Sequence, residues 1–139
     1  MEEENIREGL SRSRRYIARL RALWETHGRS DFLERIEVRY FTEKLIQLTL
    51  ESLLDVGSLI AAGKCSRKPG DYVDVFNVMG EEGLIPAEKA EKFEGIARFR
   101  DALARSPGDL SQEELYEVLE TGLSDLEEMV ETYVKILEG

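Results

Sequence analysis

Residues 45–62 read LIQLTLESLLDVGSLIAA and are apolar around most of a helical circumference. A helix on a protein surface needs only one apolar stripe, so a segment like this must be covered on several sides. The segment ends a pattern that begins near Asp31, which predicts one long helix over 31–62 at the centre of the fold. The width of its apolar arc also predicts a subunit interface, and hence a homodimer. Gly57 lies inside this helix, where glycine costs helix propensity, and it marks a close approach of another helix. Asp55 stands at the edge of the apolar surface, either reaching solvent or serving as a partner for a buried cation.

The rest of the chain supplies the cover. The three prolines, at 69, 86 and 107, fall between periodic segments, and no β-strand alternation of useful length is present. A first helix over 4–26 carries the stripe Ile6, Leu10, Ser13, Ile17, Leu20 and Trp24, a spacing typical of a bundle seam. Gly28 ends it, and Ser30 or Asp31 can cap its successor. A short helix over 71–79 presents Tyr72, Val75, Phe76 and Met79, and Pro86 is suited to the first position of a helix over 86–104. The last helix starts after Ser111, which forms the S-x-x-E capping pattern with Glu114. Its stripe is Leu115, Leu119, Gly122, Leu126, Val130 or Met129, Tyr133 and Leu137. These elements predict an all-α, up-and-down helical bundle of four main helices plus one short one, a single domain over 1–139.

Charge narrows the function. With 29 acidic and 19 basic residues the net charge is −10, a poor balance for generic nucleic-acid binding. The charge is also unevenly placed. Arg7, Arg12, Arg14, Arg15, Arg19 and Arg21 crowd the first helix, whereas the chain from Asp109 onward holds ten carboxylates and one lysine. Packing of the basic helix against the acidic one follows. His27 and Cys65 are the only residues of their kinds, so neither a disulfide nor a dedicated transition-metal site is expected, and no cofactor is implied. The N-terminal Met-Glu-Glu-Glu-Asn is no signal peptide and no apolar run approaches ~18 residues, which predicts a cytoplasmic protein without membrane contact.

One stretch departs from this acidity: residues 95–109, GIARFRDALARSPGD. On a helical wheel Arg100 falls in the apolar arc of Phe93, Ile96, Ala97, Phe99 and Leu103, while Arg98 and Arg105 lie opposite. A guanidinium facing a core or seam needs a carboxylate, a carbonyl or a ligand. Arg100 therefore pairs with an acid such as Asp55, lies at a wet dimer seam, or holds a phosphate. Arg98 and Arg105 also suit the helix's C-terminal dipole, and Pro107 ends the helix nearby.

In order, Asp55-Val56-Gly57-Ser58-Leu59-Ile60, Pro69-x-x-Tyr72-x-x-x-Phe76, Gly83-x-Ile85-Pro86 and Phe99-Arg100-Asp101 resemble the HepT-like proteins, small HEPN-type helical bundles. The resemblance covers roughly residues 30–137. It implies a homodimeric bundle, a metal-independent ribonuclease activity acting as a toxin, and a partner antitoxin. That partner is an MNT-type nucleotidyltransferase, which silences the toxin by adding AMP to a tyrosine.

The family's site, Arg-x-x-x-x-His-x-Tyr, matches here only at Arg100, implied to steady phosphate charge. Arg105 stands at the histidine position and Pro107 at the AMP-accepting tyrosine, leaving no acceptor there. Leu59 stands where many relatives carry a further histidine. Arginine has five donors and no acceptor, so Arg105 can hold phosphate but cannot act as the base. The expectation is a toxin-family protein with a degenerate ribonuclease site that binds its nucleotidyltransferase partner and RNA. The alternatives are a slow metal-independent endoribonuclease using Arg100 and Arg105, and a non-catalytic helical interaction module.

Overall fold

The computed structural model describes residues 2–106, 108 and 110–139, and among them there is no strand. The chain forms α1 (Glu2–Thr26), α2 (Arg29–Glu34), α3 (Ile36–Lys64), α4 (Tyr72–Glu81), α5 (Ala87–Arg105), α6 (Gln112–Glu117), a π-helical turn (Val118–Gly122) and α7 (Leu123–Glu138). The architecture is the expected all-α bundle, with α3 in its middle against α1, α4, α5 and α7.

The predicted helix over 31–62 is two helices. Gly28, extended, precedes α2, so Ser30 and Asp31 lie within its first turn rather than at its cap. The chain then breaks at Arg35 (φ −103°, ψ 106°) with no proline or glycine nearby. The reason is tertiary. The break swings Phe32 into full burial at edge-to-face distance from Tyr116 of α6, 6.3 Å between ring centroids. Burial of an aromatic ring outweighs the loss of one helical turn.

Close approaches at small residues fix where α3 sits. A Cβ on Gly57 would lie 2.5 Å from the Tyr133 hydroxyl, and one on Gly9 would lie 2.5 Å from Val56 Cγ2. At the α1–α3 seam the buried Ser13 and Ser52 hydroxyls bond to each other at 2.8 Å. Tyr133 is fully buried and donates its hydroxyl to the Leu53 carbonyl at 2.9 Å.

The last helix begins as expected, with a complete Ser111/Glu114 capping box, but it does not run uniformly. The π-helical turn changes the register of its stripe. After Leu115 and Leu119 the buried apolar positions are Leu123, Leu126, Met129, Val130, Tyr133 and Ile136; Leu123 replaces Gly122 and Ile136 replaces Leu137, which is 38% exposed. The Thr121 and Ser124 hydroxyls donate to carbonyls in this turn.

The charge halves meet in part. Arg21 of α1 makes a two-pronged bond to Glu127 of α7 at 2.9 and 3.2 Å, and Arg29 pairs with Glu113. Two lysines of α5 share the acidic helix: Lys92 bonds Glu128 at 2.8 Å and Lys89 the same carboxylate at 3.9 Å.

By length and composition α3 would pass for a membrane span, contrary to the expectation that no segment approaches that length. Most of its apolar window is buried inside the bundle. Its first half nevertheless exposes Ile36, Tyr40, Phe41 and Leu48, at 52, 65, 58 and 37%.

Candidate functional site

Glu51, Asp55, Ser58, Leu59 and Ala62 fall on one face of α3, at helical spacings of three and four. The start of α4 and the second half of α5 stand beside this face. Together they bound an open cleft of about 650 Å³, lined by Asp55, Ser58, Leu59, Lys68, Tyr72 and Arg100 among others. A second cleft of similar size, between the ends of α1, α3 and α7, has no comparable arrangement of interacting polar groups.

Tyr72 is placed by an unusually well-bonded loop. After α3 ends, Glu82 accepts from the backbone N–H of Ser66 (3.0 Å) and of Arg67 (3.2 Å) and from the Ser66 hydroxyl (2.9 Å). Arg67 bridges Asp74 and Glu81, at 2.8 and 3.1 Å. Asp71 then caps α4 through the Asp74 N–H at 2.8 Å. The far end of α4 is closed by a Schellman arrangement, with Leu84 N–H to the Met79 carbonyl at 2.9 Å and Gly83 left-handed at φ 75°. With both ends fixed, the Tyr72 ring points back at α3, and its hydroxyl donates to Asp55 Oδ1.

Arg100 lies across the same ring, its guanidinium carbon 5.1 Å from the Tyr72 centroid. Its side chain is 25% exposed. Nη2 donates to Glu51 Oε2 and Nη1 to Asp101 Oδ1, both at 3.3 Å. Nε is buried with no acceptor among the described residues. Burial works against the charge on Arg100, but the bonds to Asp101 and Glu51 outweigh it and raise its pKa. Burial, and then the hydrogen bond to Asp55, push the Tyr72 phenol up to about 12.

The structure therefore alters the expected pairing. Asp55 is exposed and does not pair with Arg100; Glu51, one turn earlier on α3, does. Asp55 is tied to the site through Tyr72, whose phenol fills the space between the two. Arg105 is exposed and lies in an adjoining cleft of about 600 Å³ with Asp71, Asp74, Arg98 and Asp101. Asp101 lines both clefts and accepts from Arg100, and Arg105 is not among the residues lining the Arg100 cleft. Leu59 lines the Arg100 cleft, and Pro107 lies outside the described residues.

His27 is engaged elsewhere: its Nδ1 and Asp31 Oδ2 are 2.8 Å apart at the α1–α2 junction, against the edge of Phe32. Burial, together with Glu82, pushes the pKa of the Cys65 thiol up. Sequence reasoning missed Glu51 and the role of Tyr72. The available signals were the i, i+4 pair Glu51–Asp55 on α3 and the tyrosine at the start of the short helix.

The family model described as Ribonuclease HepT-like matches residues 13–133. Among curated proteins, the chain is 22% identical over 96 residues to the putative RNase YutE of Bacillus subtilis (strain 168), spanning 67% of each. A solved toxin–antitoxin complex with AMP-PNP contains a chain of the same fold, with TM-score 0.80 and 16% identity over 93% of this chain and 96% of that one. The tri-AMPylated Shewanella oneidensis HEPN toxin, solved in complex with MNT antitoxin, superposes with TM-score 0.79 and 16% identity over 92% and 95%.

Proposed function

Because the chain belongs to the HepT-like ribonuclease family, we propose that it is the toxin-family half of a nucleotidyltransferase-paired module, with a degenerate ribonuclease site. The partner is a nucleotidyltransferase antitoxin of the MNT type, as in the complex of the similar Shewanella toxin. The protein works in the cytoplasm as a homodimer, a single-domain subunit whose exposed apolar residues on α3 cover each other. Those residues continue along the face that carries Glu51 and Asp55, so the dimer seam borders the Arg100 cleft.

The observation that carries the degenerate-site reading is the state of Arg100. Two of its three nitrogens, Nη2 and Nη1, already donate to Glu51 and Asp101, and no imidazole is among the described residues lining its cleft. RNA cleavage without a metal needs a group that takes a proton from the 2′-hydroxyl near neutral pH. Arg105, at the family's histidine position, cannot take it, and it lines a different cleft from Arg100. RNA phosphate can still displace Glu51 from Arg100, so binding outlives cleavage. The arginine-only ribonuclease fits less well, because three carboxylates line the cleft of Arg105.

The test is cleavage of a fluorescent RNA by purified protein. The native chain is expected to cleave slowly or not at all, and Arg105→His with Pro107→Tyr to raise the rate by about 10²–10⁴-fold, the usual contribution of a general base. Fast cleavage by the native chain that disappears in Arg100→Ala would refute the proposal.

A further inference from the structure

The arginines of α1 outnumber the acids that meet them. Residues 9–24 hold five arginines and no carboxylate, in a chain of net charge −10. Arg21 pairs with Glu127, whereas Arg14, Arg15 and Arg19 are exposed and no carboxylate reaches them among the described residues. Between them Ser11, Ala18 and Ala22, all exposed, recur at helical spacing along the outward side of α1. That ridge is therefore low, and cations flank it.

A groove elsewhere on the bundle has the opposite character. It lies between α5 and the run from α6 through the π-helical turn into α7, above Ile46 and Leu50 of α3, and has a volume of about 380 Å³. Ile96, Phe99 and Val118 give it apolar walls, and Glu114, Glu117 and Asp125 line it. Lys92, the one cation among its described lining residues, is drawn to Glu128 and Asp125, at 2.8 and 3.5 Å. Gly95 and Gly122 line it as well. A Cβ on Gly95 would meet nothing within 4 Å, and one on Gly122 would make only an ordinary contact, 3.6 Å from Val118 Cγ1. Glycine inside a helix costs about 1 kcal/mol against alanine. The packing of the chain on itself gives no reason for that cost at Gly95, but a close approach from outside does.

We infer that this groove receives the outward ridge of α1 from a second copy of the chain. The two surfaces match in length: Ser11 to Ala22 and Glu114 to Asp125 each span eleven residues, about 16 Å of helix. They match in shape, because Ala18 and Ala22 can settle over the glycines and let the helices pack closely. They match in charge, because the arginine stems cover the apolar walls while their heads reach Glu114, Glu117 and Asp125. The contact joins two different surfaces, so it links copies into a ring if its rotation closes and into an open chain if it does not. It shares no residue with the Arg100 cleft and uses none of the exposed apolar residues of α3, so it stands whether or not the proposed function does. Surface ion pairs are weak singly, so this assembly belongs to concentrations above those at which the α3 dimer forms.

The experiment is sedimentation of the full chain at submillimolar concentration. At about 0.1 M salt the screening length of ~10 Å spans the contact but not the molecule, and species larger than a dimer are expected; at about 1 M salt they should be lost. Gly95→Leu fills the groove of the receiving copy and favours its own helix, so it should abolish the larger species while melting no lower than the native chain. Arg15→Glu with Arg19→Glu should abolish them too, and Glu117→Lys should weaken them. Mixing the double arginine variant with Glu117→Lys restores opposite charges across one contact and should bring larger species back. A native chain no larger than a dimer under these conditions overturns the inference. So do larger species that survive Gly95→Leu or the arginine reversal, and so does a mixture that fails to regain them.

Discussion

Replacing Arg100 with alanine separates the two uses of a half-buried guanidinium. Had it been paired with a buried acid, its removal would strand a charge and cost ~3–5 kcal/mol. The observed contacts give a different sum. Glu51 and Asp101 keep about a third of their side-chain surface in water, so each contact is worth about 0.2–1 kcal/mol and neither acid is stranded when the arginine goes. Packing of the cation against the Tyr72 ring adds about 0.5–1 kcal/mol. Against these stands the buried, unpartnered Nε, a desolvation cost of about 1–3 kcal/mol. The terms nearly cancel, and Arg100→Ala should change stability by less than about 1 kcal/mol. Urea denaturation followed by circular dichroism measures this directly, and the melting temperature should move by no more than about 4 °C. Affinity for a short RNA, measured by fluorescence anisotropy at fixed salt, should fall in the same variant. A loss of stability above about 3 kcal/mol would mean that Arg100 anchors the core, and unchanged RNA affinity would remove it from the site.

Three further outcomes follow from particular contacts. Gly57→Ala forces Tyr133 away from the Leu53 carbonyl; overpacking and a lost buried hydrogen bond outweigh the ~1 kcal/mol gain in helix propensity, for a net cost of about 2–4 kcal/mol. Adding Tyr133→Phe should recover part of that cost in chemical denaturation, and strictly additive losses would show that the contact is not its source. The Tyr72 phenol is raised from 10.0 to about 12 by burial and Asp55, so its contribution is complete below about pH 10 and is lost as pH rises through 12. That is ~2.7 kcal/mol before screening and about 1 after it, and Tyr72→Phe should flatten this limb of the stability–pH curve. Phe41→Lys on the exposed half of α3 should shift sedimentation from dimer to monomer, whereas a native chain that is monomeric at micromolar concentration would exclude the dimer.

The fold was legible where one physical cause acts locally. Proline and glycine between periodic segments set most helix ends, and Ser111 with Glu114 marked a start that the structure reproduces as a full capping box. The break at Arg35 has no such local cause. It exists because Phe32 finds a pocket beside Tyr116, a contact between residues 84 positions apart, and a pattern of apolar spacings along one helix carries no trace of it. The π-helical turn escaped for a related reason. Gly122 and Leu137 fit an unbroken stripe almost as well as Leu123 and Ile136 do, and only the packing of α7 on its neighbours chooses between them.

The same limit explains the site. A helical wheel gives the angle at which a side chain leaves its axis, and that was enough to single out Arg100. It gives no height along a neighbouring helix. Glu51 and Asp55 leave α3 on the same face but about 6 Å apart along its axis, four residues at 1.5 Å each. Which of them meets Arg100 depends on how far α5 is displaced along α3. That displacement is set by α4, the bonded loop before it and the turn after it. Tyr72, at the first position of α4, arrives at the height of Asp55 and takes its carboxylate, so the guanidinium is left to Glu51. The short helix, which in the sequence looked like a spacer between two longer ones, is therefore the element that decides which acid pairs with the arginine and which is left facing a phenol.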